Sequence, residues 1–238
     1  MRAMVLAAGL GTRLRPLTND RPKALVEIGG RTLLEITLAR LRAFGIREVI
    51  VNVHHFADKM LDYLAAHHNF GMHIEVSREE VLLDTGGGLQ QAAYFFSGTA
   101  EPFILHNVDV LSSIDLERMV RWHTEHHALA TLAVQDRQTS RYLLFDSQHQ
   151  LCGRTSSREA ADSSQRTSAF CGIHVISPRL LSMMQEGVFS IITSYLQLAE
   201  RGEKVIAFQA DEYYWRDLGK PENIARAAED LKQNVLVQ

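Results

Sequence analysis

The stretch Met4-Val5-Leu6-Ala7-Ala8-Gly9-Leu10-Gly11-Thr12-Arg13-Leu14-Arg15-Pro16 decides how the rest of the chain is interpreted. Its apolar beginning predicts a buried first strand over residues 3–8, and its glycines predict a loop whose backbone N–H groups can approach a ligand closely. Arg13, Arg15 and Lys23 then supply positive charge. Because guanidinium groups bind phosphate oxygens in pairs and an ammonium group adds a point charge, the stretch indicates a polyphosphate-binding loop.

Two well-known phosphate loops are excluded by the residues present. The dinucleotide-binding fingerprint requires a third glycine where Leu14 stands and a helix directly after it, whereas Pro16 follows here. The Walker loop requires Gly-Lys-Ser/Thr, a triplet that occurs nowhere in the sequence. The loop therefore belongs to a different class of phosphate site.

Apolar runs and helical periodicity alternate along the first 135 residues, which predicts βαβ units and a parallel sheet. The later sequence changes character: 142–145 and 151–154 predict an antiparallel insertion, and 155–168 a polar, serine-rich loop. The predicted class is α/β, a Rossmann-like mixed, mainly parallel sheet flanked by helices, with a small late antiparallel insertion. Further strands are predicted at 48–53, 72–76, 102–107, 129–134, 169–176, 204–208 and 213–218, and helices at 32–44, 56–68, 89–96, 115–127, 178–184, 191–201 and from 219 onward.

Length and composition narrow the class of protein. The chain has 238 residues, 46% of them hydrophobic, which is enough to bury a sizeable core. A net charge of −3 argues against general binding to nucleic acid or to an anionic membrane. Cys152 and Cys171 lack the spacing of a metal or disulfide motif, and no signal-peptide pattern opens the chain. We therefore expect a cytoplasmic protein.

Five motifs together resemble one family, the sugar-1-phosphate nucleotidylyltransferases. The first is Leu6–Thr18 followed by Pro22-Lys23, which is similar to the long family signature. The pattern resembles most the short single-domain members, which include N-acetylmuramate-1-phosphate uridylyltransferase and the heptose- or mannose-1-phosphate guanylyltransferases. The other four motifs are Asp84-Thr85-Gly86-Gly87-Gly88 (base-binding loop), Asn107-Val108-Asp109 (usually Asn-Gly-Asp), Phe170-Cys171-Gly172-Ile173 (sugar-binding strand) and Trp215-Arg216-Asp217-Leu218-Gly219 (second metal motif).

This resemblance implies the nucleotide-diphospho-sugar transferase fold and a specific enzymatic reaction. An oxygen of a sugar 1-phosphate attacks the α-phosphorus of a nucleoside triphosphate, UTP or another, and pyrophosphate leaves. It implies Mg²⁺ as cofactor and a single domain over residues 1–238, with a nucleotide-binding half (1–135) and a sugar-phosphate-binding half (136–238). Neither nucleic acid nor a membrane is an expected partner.

The resemblance also implies roles for individual residues. The attacking phosphate is already an anion, so catalysis requires positioning and charge stabilisation rather than a protein nucleophile. Arg13 is expected on the departing pyrophosphate, and Lys23 between the two reacting phosphates. The implied nucleotide-binding residues are Ala8, Gly9, Gly11, Thr12, Gly86, Gly87 and Gly88, and those binding the sugar phosphate are Asn107, Phe170 and Gly172.

Asp109 and Asp217 are the implied metal ligands. Each follows an apolar strand-like run, so each is expected at a strand end, where open α/β sheets place ligands. Mg²⁺ prefers one or two carboxylates together with phosphate oxygens and water. The structural alternative is that Asp109 caps a turn and that Asp217 caps the last helix.

The sequence departs from the family pattern at two places. Val108 replaces the usual glycine before the metal aspartate, and the second lysine that many members carry in a Glu-Lys-Pro run is absent. Arg154, Arg158 or Arg166 is a candidate to replace that lysine. Ala8, where guanine-using relatives more often have glycine, favours a pyrimidine base.

Two other functions fit parts of the sequence. One is cytidylyl transfer to an alcohol phosphate such as phosphocholine, and the other is a non-catalytic regulatory protein that binds a nucleotide sugar. The presence of Arg13, Lys23, Asp109 and Asp217 together disfavours the regulatory alternative. The eleven histidines include His123 on a predicted helix, for which a surface position is expected rather than a zinc site.

Overall fold

A computed structural model of the chain describes residues 1–159, 161–162 and 164–232. Strands and helices alternate through the first part of the chain, as the periodicity predicts. The strands are β1 (Arg2–Leu6), β2 (Glu27–Ile28), β3 (Arg31–Thr32), β4 (Glu48–Val53), β5 (His73–Arg78), β6 (Phe103–Asn107), β7 (Val110–Ser112), β8 (Ala130–Gln135), β9 (Tyr142–Phe145), β10 (Leu151–Thr155), β11 (Arg166–Ile176), β12 (Val205–Gln209) and β13 (Trp215–Asp217). The helices are α1 (Leu33–Ala43), α2 (Ala57–Ala66), α3 (Asp84–Gln91), α4 (Leu116–Glu125), α5 (Ile191–Glu200) and α6 (Pro221–Lys232).

A nine-stranded mixed sheet forms the centre of the described structure. Strands β6, β1, β4 and β5 are adjacent and parallel, so their carboxyl ends lie at one edge of the sheet. Strand β11 is antiparallel to β6, β8 and β9, and β10 pairs antiparallel with β9, which confirms the predicted late antiparallel insertion. Since β11 runs the other way, its first residues reach the same edge as the last residues of β6 and β8.

Each face of the sheet carries its own hydrophobic core. Along β1, Ala3 and Val5 point to one core and Met4 to the other, as the alternation of a strand requires. Helices α1, α2, α4 and α6 contribute buried side chains to the first core, and α3 and α5 to the second. The sheet is therefore covered on both faces, and its carboxyl edge is left for a site. Within the described residues, we find no helix with the length and apolar character needed to span a membrane.

Two helices start within a residue of their predicted beginnings at 32 and 115, and each start is capped by a side chain. The side chain of Thr32 accepts a hydrogen bond from the Glu35 backbone N–H at 3.0 Å, and the Asp115 carboxylate accepts one from the Arg118 N–H at 2.9 Å. Each satisfies a donor that the first turn of the helix leaves free. The predicted starts of α1 and α4 are confirmed.

The start of α3 differs from the prediction. The sequence predicts a loop to residue 88 and a helix from 89, because glycine disfavours helix, but the helix begins at Asp84 and contains three glycines. Tertiary contacts outweigh the low propensity: the carbonyl of Phe189 accepts hydrogen bonds from the N–H groups of Gly86, at 2.9 Å, and Gly87, at 3.3 Å.

A separate two-stranded sheet joins distant parts of the chain. Strand β13 pairs antiparallel with β7, so Asp217 lies opposite Val110. The N–H of Leu218 then donates to the carbonyl of Asp109 at 2.8 Å. The two predicted metal ligands are brought together by this pairing, although 107 residues separate them in the sequence.

Candidate active site

A cleft of about 430 Å³ opens at the carboxyl edge of the sheet. Adjacent parallel strands end here, and the loops that follow them form the walls. Five predicted site residues line this cleft: Ala8, Gly9, Lys23, Asn107 and Asp109. The remaining lining residues are Leu6, Ala7, Asn52, Glu79, Leu82, Asp84, Thr85, Val108 and Val188.

The glycine-rich loop is held by contacts within itself. Gly11 has a φ of 65°, in the left-handed region that favours glycine. A Cβ there would also stand 3.0 Å from Thr18 Cγ2 and 3.1 Å from Lys23 Cβ. The Thr18 hydroxyl donates to the Gly11 carbonyl at 2.8 Å. Gly9 differs, because nothing of the protein lies within 4 Å of the Cβ it lacks.

Lys23 forms an ion pair with Asp109. Its Nζ donates to Asp109 Oδ2, and its side chain is only 9% exposed against 22% for the carboxylate. The stem of the lysine is therefore buried while its charged end stays at the cleft wall. One predicted catalytic residue and one predicted metal ligand are thus in direct contact, 86 residues apart in sequence.

Arg13 and the other predicted metal ligand, Asp217, both lie beside Gly219. A Cβ on Gly219 would lie 2.6 Å from Arg13 Nη2 and 2.9 Å from Asp217 Oδ1, so the guanidinium group, the carboxylate and this glycine share one small space. Asp217 Oδ1 accepts the Gly219 N–H at 2.9 Å, which caps the turn into α6. Its Oδ2 accepts no hydrogen bond from the described residues, so Asp217 both caps a turn and presents a free oxygen.

The triple glycine of α3 packs against the protein itself. A Cβ on Gly86 would overlap the Phe189 ring, and one on Gly87 would overlap the Gly187 carbonyl. A Cβ on Gly88 would lie 2.5 Å from Glu79 Oε1. The three residues are buried behind the cleft wall, where Asp84 and Thr85 are the lining residues. Internal packing is thus sufficient to explain why this run consists of glycine.

Asn52 and Glu79 line the cleft and were not identified from the sequence. Both are 2% exposed. Asn52 accepts the Ala7 N–H at 2.7 Å through Oδ1 and donates to Glu79 Oε1 at 2.7 Å, while Glu79 Oε2 accepts the Leu83 N–H at 2.9 Å. This chain of hydrogen bonds ties the end of β1 to the start of α3. The signal for Asn52 is a polar residue near the end of an otherwise apolar strand; Glu79 has none.

Asn107 and Gly172 meet on the side of β6 that faces β11. Gly172 has a φ of 75°, and a Cβ there would lie 2.8 Å from Asn107 Nδ2. The pairing of β11 with β8 is irregular between Phe170 and His174, so the ladder opens at this point. The predicted sugar-binding residues Asn107 and Gly172 are therefore in contact, and Phe170 stands at the start of the irregularity.

The arginines considered as replacements for a second lysine lie at exposed positions. Arg158 pairs with Asp136, and Arg166 pairs with Asp211 at 3.2 Å. Arg154 is exposed on β10. A different residue, Arg137, stacks on the indole of Trp215, with its Cζ 3.8 Å from the ring centroid, and donates from Nη2 to the Phe170 carbonyl at 2.7 Å.

Three buried histidines lie in the protein interior: His106 on β6, His174 on β11 and His123 on α4. Burial lowers the pKa of His106 to about 3, with a contribution from the positive charge of Arg40, and lowers that of His174 to about 3 and of His123 to about 4. His123 is 2% exposed and bonds to Thr131 Oγ1 at 2.9 Å and Ser177 Oγ at 3.0 Å. The predicted surface position of His123 is wrong, because two buried hydroxyls satisfy its ring nitrogens.

Asp109 and Asp217, brought together by the β13–β7 pairing, are the two carboxylates that would hold a metal ion. Across residues 1–159, 161–162 and 164–232, no group of three or more His, Cys, Asp or Glu side chains is arranged to hold a metal by itself. A pair of aspartates fits an ion that takes its other ligands from phosphate oxygens and water. The donor set therefore suits Mg²⁺ bound together with a nucleotide.

The sequence profile of the nucleotidyl transferase family matches residues 2–150. N-acetylmuramate alpha-1-phosphate uridylyltransferase of Caulobacter vibrioides is 32% identical, with 92% of each chain covered. Mannose-1-phosphate guanyltransferase beta-B of Xenopus laevis is 27% identical over 94% of this chain, which spans 62% of that relative's length.

A solved structure shares the fold. A putative glucose-1-phosphate thymidylyltransferase from Bacillus anthracis, crystallised in complex with a sucrose, superposes with a TM-score of 0.81. Its sequence is 17% identical, and the match covers 98% of this chain and 96% of that one. The mixed sheet with helices on both faces is therefore the nucleotide-diphospho-sugar transferase fold.

Proposed function

Because the chain belongs to the nucleotidyl transferase family, we propose that this nucleotidyltransferase moves a uridylyl group from UTP to a sugar 1-phosphate of the N-acetylmuramate type. The observation that carries this proposal is the cleft in which Ala8, Gly9, Lys23 and Asp109 come together. The base and the sugar follow the uridylyltransferase that aligns over 92% of both chains. Ala8 on the cleft wall agrees with a pyrimidine base.

The proposed division of labour follows the two parts of the chain. Residues 1–135 bind the nucleotide through Ala8, Gly9, Gly11, Thr12 and the segment Gly86–Gly88, which holds the wall of the base pocket. Residues 136–238, with Asn107 from the first part, bind the sugar phosphate through Phe170 and Gly172. The whole chain acts as one domain, since the reaction needs groups from both parts in one place.

In the proposed mechanism, an oxygen of the sugar phosphate attacks the α-phosphorus of UTP, and the bond to the β-phosphate oxygen breaks. An electron pair of the attacking oxygen forms the new P–O bond, and the pair of the broken bond leaves on pyrophosphate, so no protein group forms a covalent bond. Lys23 holds its charge between the two reacting phosphates, with Asp109 fixing its Nζ. Arg13, placed beside Gly219, stabilises the charge that accumulates on pyrophosphate.

Asp109 and Asp217 would hold Mg²⁺ in this mechanism. When bound there, the ion would neutralise part of the negative charge of the reacting phosphates. Asp217 keeps its free oxygen in place because Oδ1 is bound to the Gly219 N–H and its carbonyl accepts Asn223 Nδ2 at 2.8 Å. We place the reaction in the cytoplasm, since it consumes a nucleoside triphosphate and both cysteines are free thiols.

A matrix of substrates tests this proposal. The purified protein with Mg²⁺ is given each of four nucleoside triphosphates with N-acetylmuramate, N-acetylglucosamine, glucose or mannose 1-phosphate, or phosphocholine, and pyrophosphate release is measured. We expect the highest kcat/KM with UTP and N-acetylmuramate 1-phosphate. Faster release with GTP would contradict the proposed base, and faster release with phosphocholine the proposed acceptor.

The metal assignment has its own test. Asp109→Asn and Asp217→Asn should lose Mg²⁺-dependent release, whereas Asp115→Asn, which keeps its cap on α4, should behave like the wild type. Titration of Mn²⁺ by electron paramagnetic resonance in the presence of UTP reads binding directly, without turnover. Unchanged Mn²⁺ affinity in both variants would assign the two aspartates to structural roles.

A further inference from the structure

Arg137 is a partly buried cation. In the described structure its guanidinium group contacts only neutral groups, while its backbone carbonyl accepts a hydrogen bond from Arg158 Nη2 at 3.2 Å. Its Nη2 donates to the Phe170 carbonyl, its plane lies on Trp215, and its Nε is buried without a hydrogen-bond partner. Burial raises the pKa of the neighbouring Cys171 thiol to about 12, so that thiol carries no charge at neutral pH.

The charge of Arg137 has no contacting counter-ion among the described residues. Asp217 attracts it electrostatically but lies beyond ion-pair distance, and burial lowers the pKa of the guanidinium group. Taking a cation out of water without pairing it is unfavourable. Arg158, on the neighbouring loop, is more exposed and does have a carboxylate partner, Asp136. The contrast indicates that Arg137 is arranged for an anion that binds from outside.

The surroundings of Arg137 fix its orientation. Trp215 Nε1 donates to the Cys171 carbonyl at 2.7 Å, which anchors the ring on which the guanidinium group rests. The two carbonyls that hold Arg137 and Trp215, those of Phe170 and Cys171, lie where the β11–β8 ladder is irregular. Trp215 also belongs to β13, the strand that ends in Asp217. The guanidinium group is thus attached to the sugar side of the site and to the strand that carries a metal ligand.

We propose that Arg137 binds an oxyanion of the acceptor substrate, either its reacting phosphate or a carboxylate on its sugar. This inference rests on the proposed function, because it takes the acceptor to be a sugar 1-phosphate. A planar guanidinium group with free N–H donors matches both oxyanions in geometry. Stacking on Trp215 holds the group in the plane needed for two parallel hydrogen bonds. Arg137, rather than Arg154, Arg158 or Arg166, then takes the place of the second lysine that this chain lacks.

The test compares Arg137→Gln and Arg137→Lys with a control, Arg179→Gln, whose arginine is exposed and already paired with Glu203 at 2.7 Å. With UTP saturating, we expect Arg137→Gln to raise the KM for the acceptor about 10- to 100-fold, the loss typical of a charge-assisted hydrogen bond. The KM for UTP should stay near the wild-type value, and Arg137→Lys should recover part of the acceptor affinity. The control variant should match the wild type.

Two acceptors distinguish the source of the oxyanion. N-acetylmuramate 1-phosphate and N-acetylglucosamine 1-phosphate share a ring and a phosphate, and only the first carries a carboxylate. Equal losses with both assign the phosphate, and a loss confined to the first assigns the carboxylate. An unchanged acceptor KM with both, or an equal rise in the KM for UTP, overturns the inference.

Calorimetric binding of each acceptor alone separates this inference from the proposed function. If the wild type binds an acceptor and Arg137→Gln binds it equally well, the inference fails while the proposed function stands. If the wild type releases no pyrophosphate with any substrate pair, the proposed function fails, and acceptor binding by wild type and variant still decides the role of Arg137. Thermal unfolding of each variant checks that its fold is intact.

Discussion

The two regions proposed to bind the nucleotide and the sugar, the nucleotide wall and the sugar wall, are built in opposite ways. The nucleotide wall, formed by the loop after β1 and the start of α3, is packed against the protein's own atoms. Thr18 and Lys23 fill the space beside Gly11, and Phe189 fills the space beside Gly86. The sugar wall, formed by Asn107, Phe170, Gly172 and Arg137, takes single residues from distant parts of the chain. Among the described residues, no carboxylate contacts the guanidinium group of Arg137.

The difference indicates that the nucleotide wall is preorganised by the protein, whereas the sugar wall is completed by its substrate. A wall held by internal contacts keeps its shape without ligand, so substitutions in it change the free energy of unfolding as well as binding. A wall with an unpaired charged group is completed by its substrate, so substitutions in it change mainly substrate affinity. Lys23 connects the two walls, because its Cβ borders Gly11 of the glycine loop and its Nζ contacts Asp109.

The largest expected effect on activity comes from replacing Lys23, the residue that connects the two walls. Lys23→Ala should lower kcat about 10²- to 10³-fold, as loss of a donor to developing charge does in other enzymes. Stopped-flow detection of pyrophosphate measures the rate, and circular dichroism checks the fold. Lys59→Ala, which removes an exposed lysine, is the control and should retain full activity. A kcat for Lys23→Ala within about threefold of the wild type would remove this lysine from the mechanism.

A pair of glycine variants separates packing from ligand approach within the nucleotide wall. Gly86→Ala places a methyl group into the Phe189 ring and should lower the free energy of unfolding by about 1–3 kcal/mol. Gly9→Ala meets nothing of the protein, so its stability should not change, while the KM for UTP should rise about tenfold as the methyl group meets the ligand. Urea unfolding and steady-state kinetics measure the two effects. Equal stability of both variants would contradict the packing role of Gly86.

Gly219→Ala tests the position of Arg13 beside Asp217, the second predicted metal ligand. The added Cβ would stand 2.6 Å from Arg13 Nη2, and because this side chain is flexible, the protein can yield by moving it. We expect kcat to fall about tenfold with a stability change within about 0.5 kcal/mol. Gly153→Ala, whose nearest neighbour is Leu144 Cδ1 at 3.3 Å, is the control. Unchanged kcat would show that the position of Arg13 is not critical.

The smallest expected effect concerns the core that supports both walls. Burial lowers the folded-state pKa of His123 to about 4, below the ordinary 6.5, so the unfolded chain binds more protons between these values. The stabilisation is fully present above pH 6.5 and is lost as pH falls toward 4. When the pH falls from 6.5 to 5.5, the free energy of unfolding should therefore decrease by about 1 kcal/mol less in His123→Gln than in the wild type. Urea unfolding at the two pH values measures this difference. Identical pH profiles would place His123 outside this linkage.

Much of the fold follows from local sequence patterns. Periodicity predicts the alternation of strands and helices, and the helix starts predicted at 32 and 115 are confirmed by the caps that Thr32 and Asp115 form. The predicted start of α3 is wrong because the low helix propensity of glycine is a local property, and it takes no account of contacts with distant residues. The Phe189 carbonyl that holds this turn lies about a hundred residues away, beyond the reach of a local pattern.

The residues of the candidate site also fall into two groups, those that a local motif identifies and those that only the folded structure identifies. Residues within one continuous motif, such as Gly9 and Lys23, could be identified from the sequence because their spacing carries the signal. Glu79 and Arg137 could not, since what distinguishes them is burial and the identity of their contacts. A charged residue after a strand is common in any sequence. Only the folded arrangement shows that Glu79 is 2% exposed or that Arg137 stacks on Trp215.

The pairing of β13 with β7 also has a consequence for protein synthesis. The ribosome makes the glycine loop, Lys23 and Asp109 early, but Asp217 follows only after almost all other elements. Until β13 has been made, β7 lacks its neighbour. The two predicted metal ligands can therefore come together only near the end of synthesis.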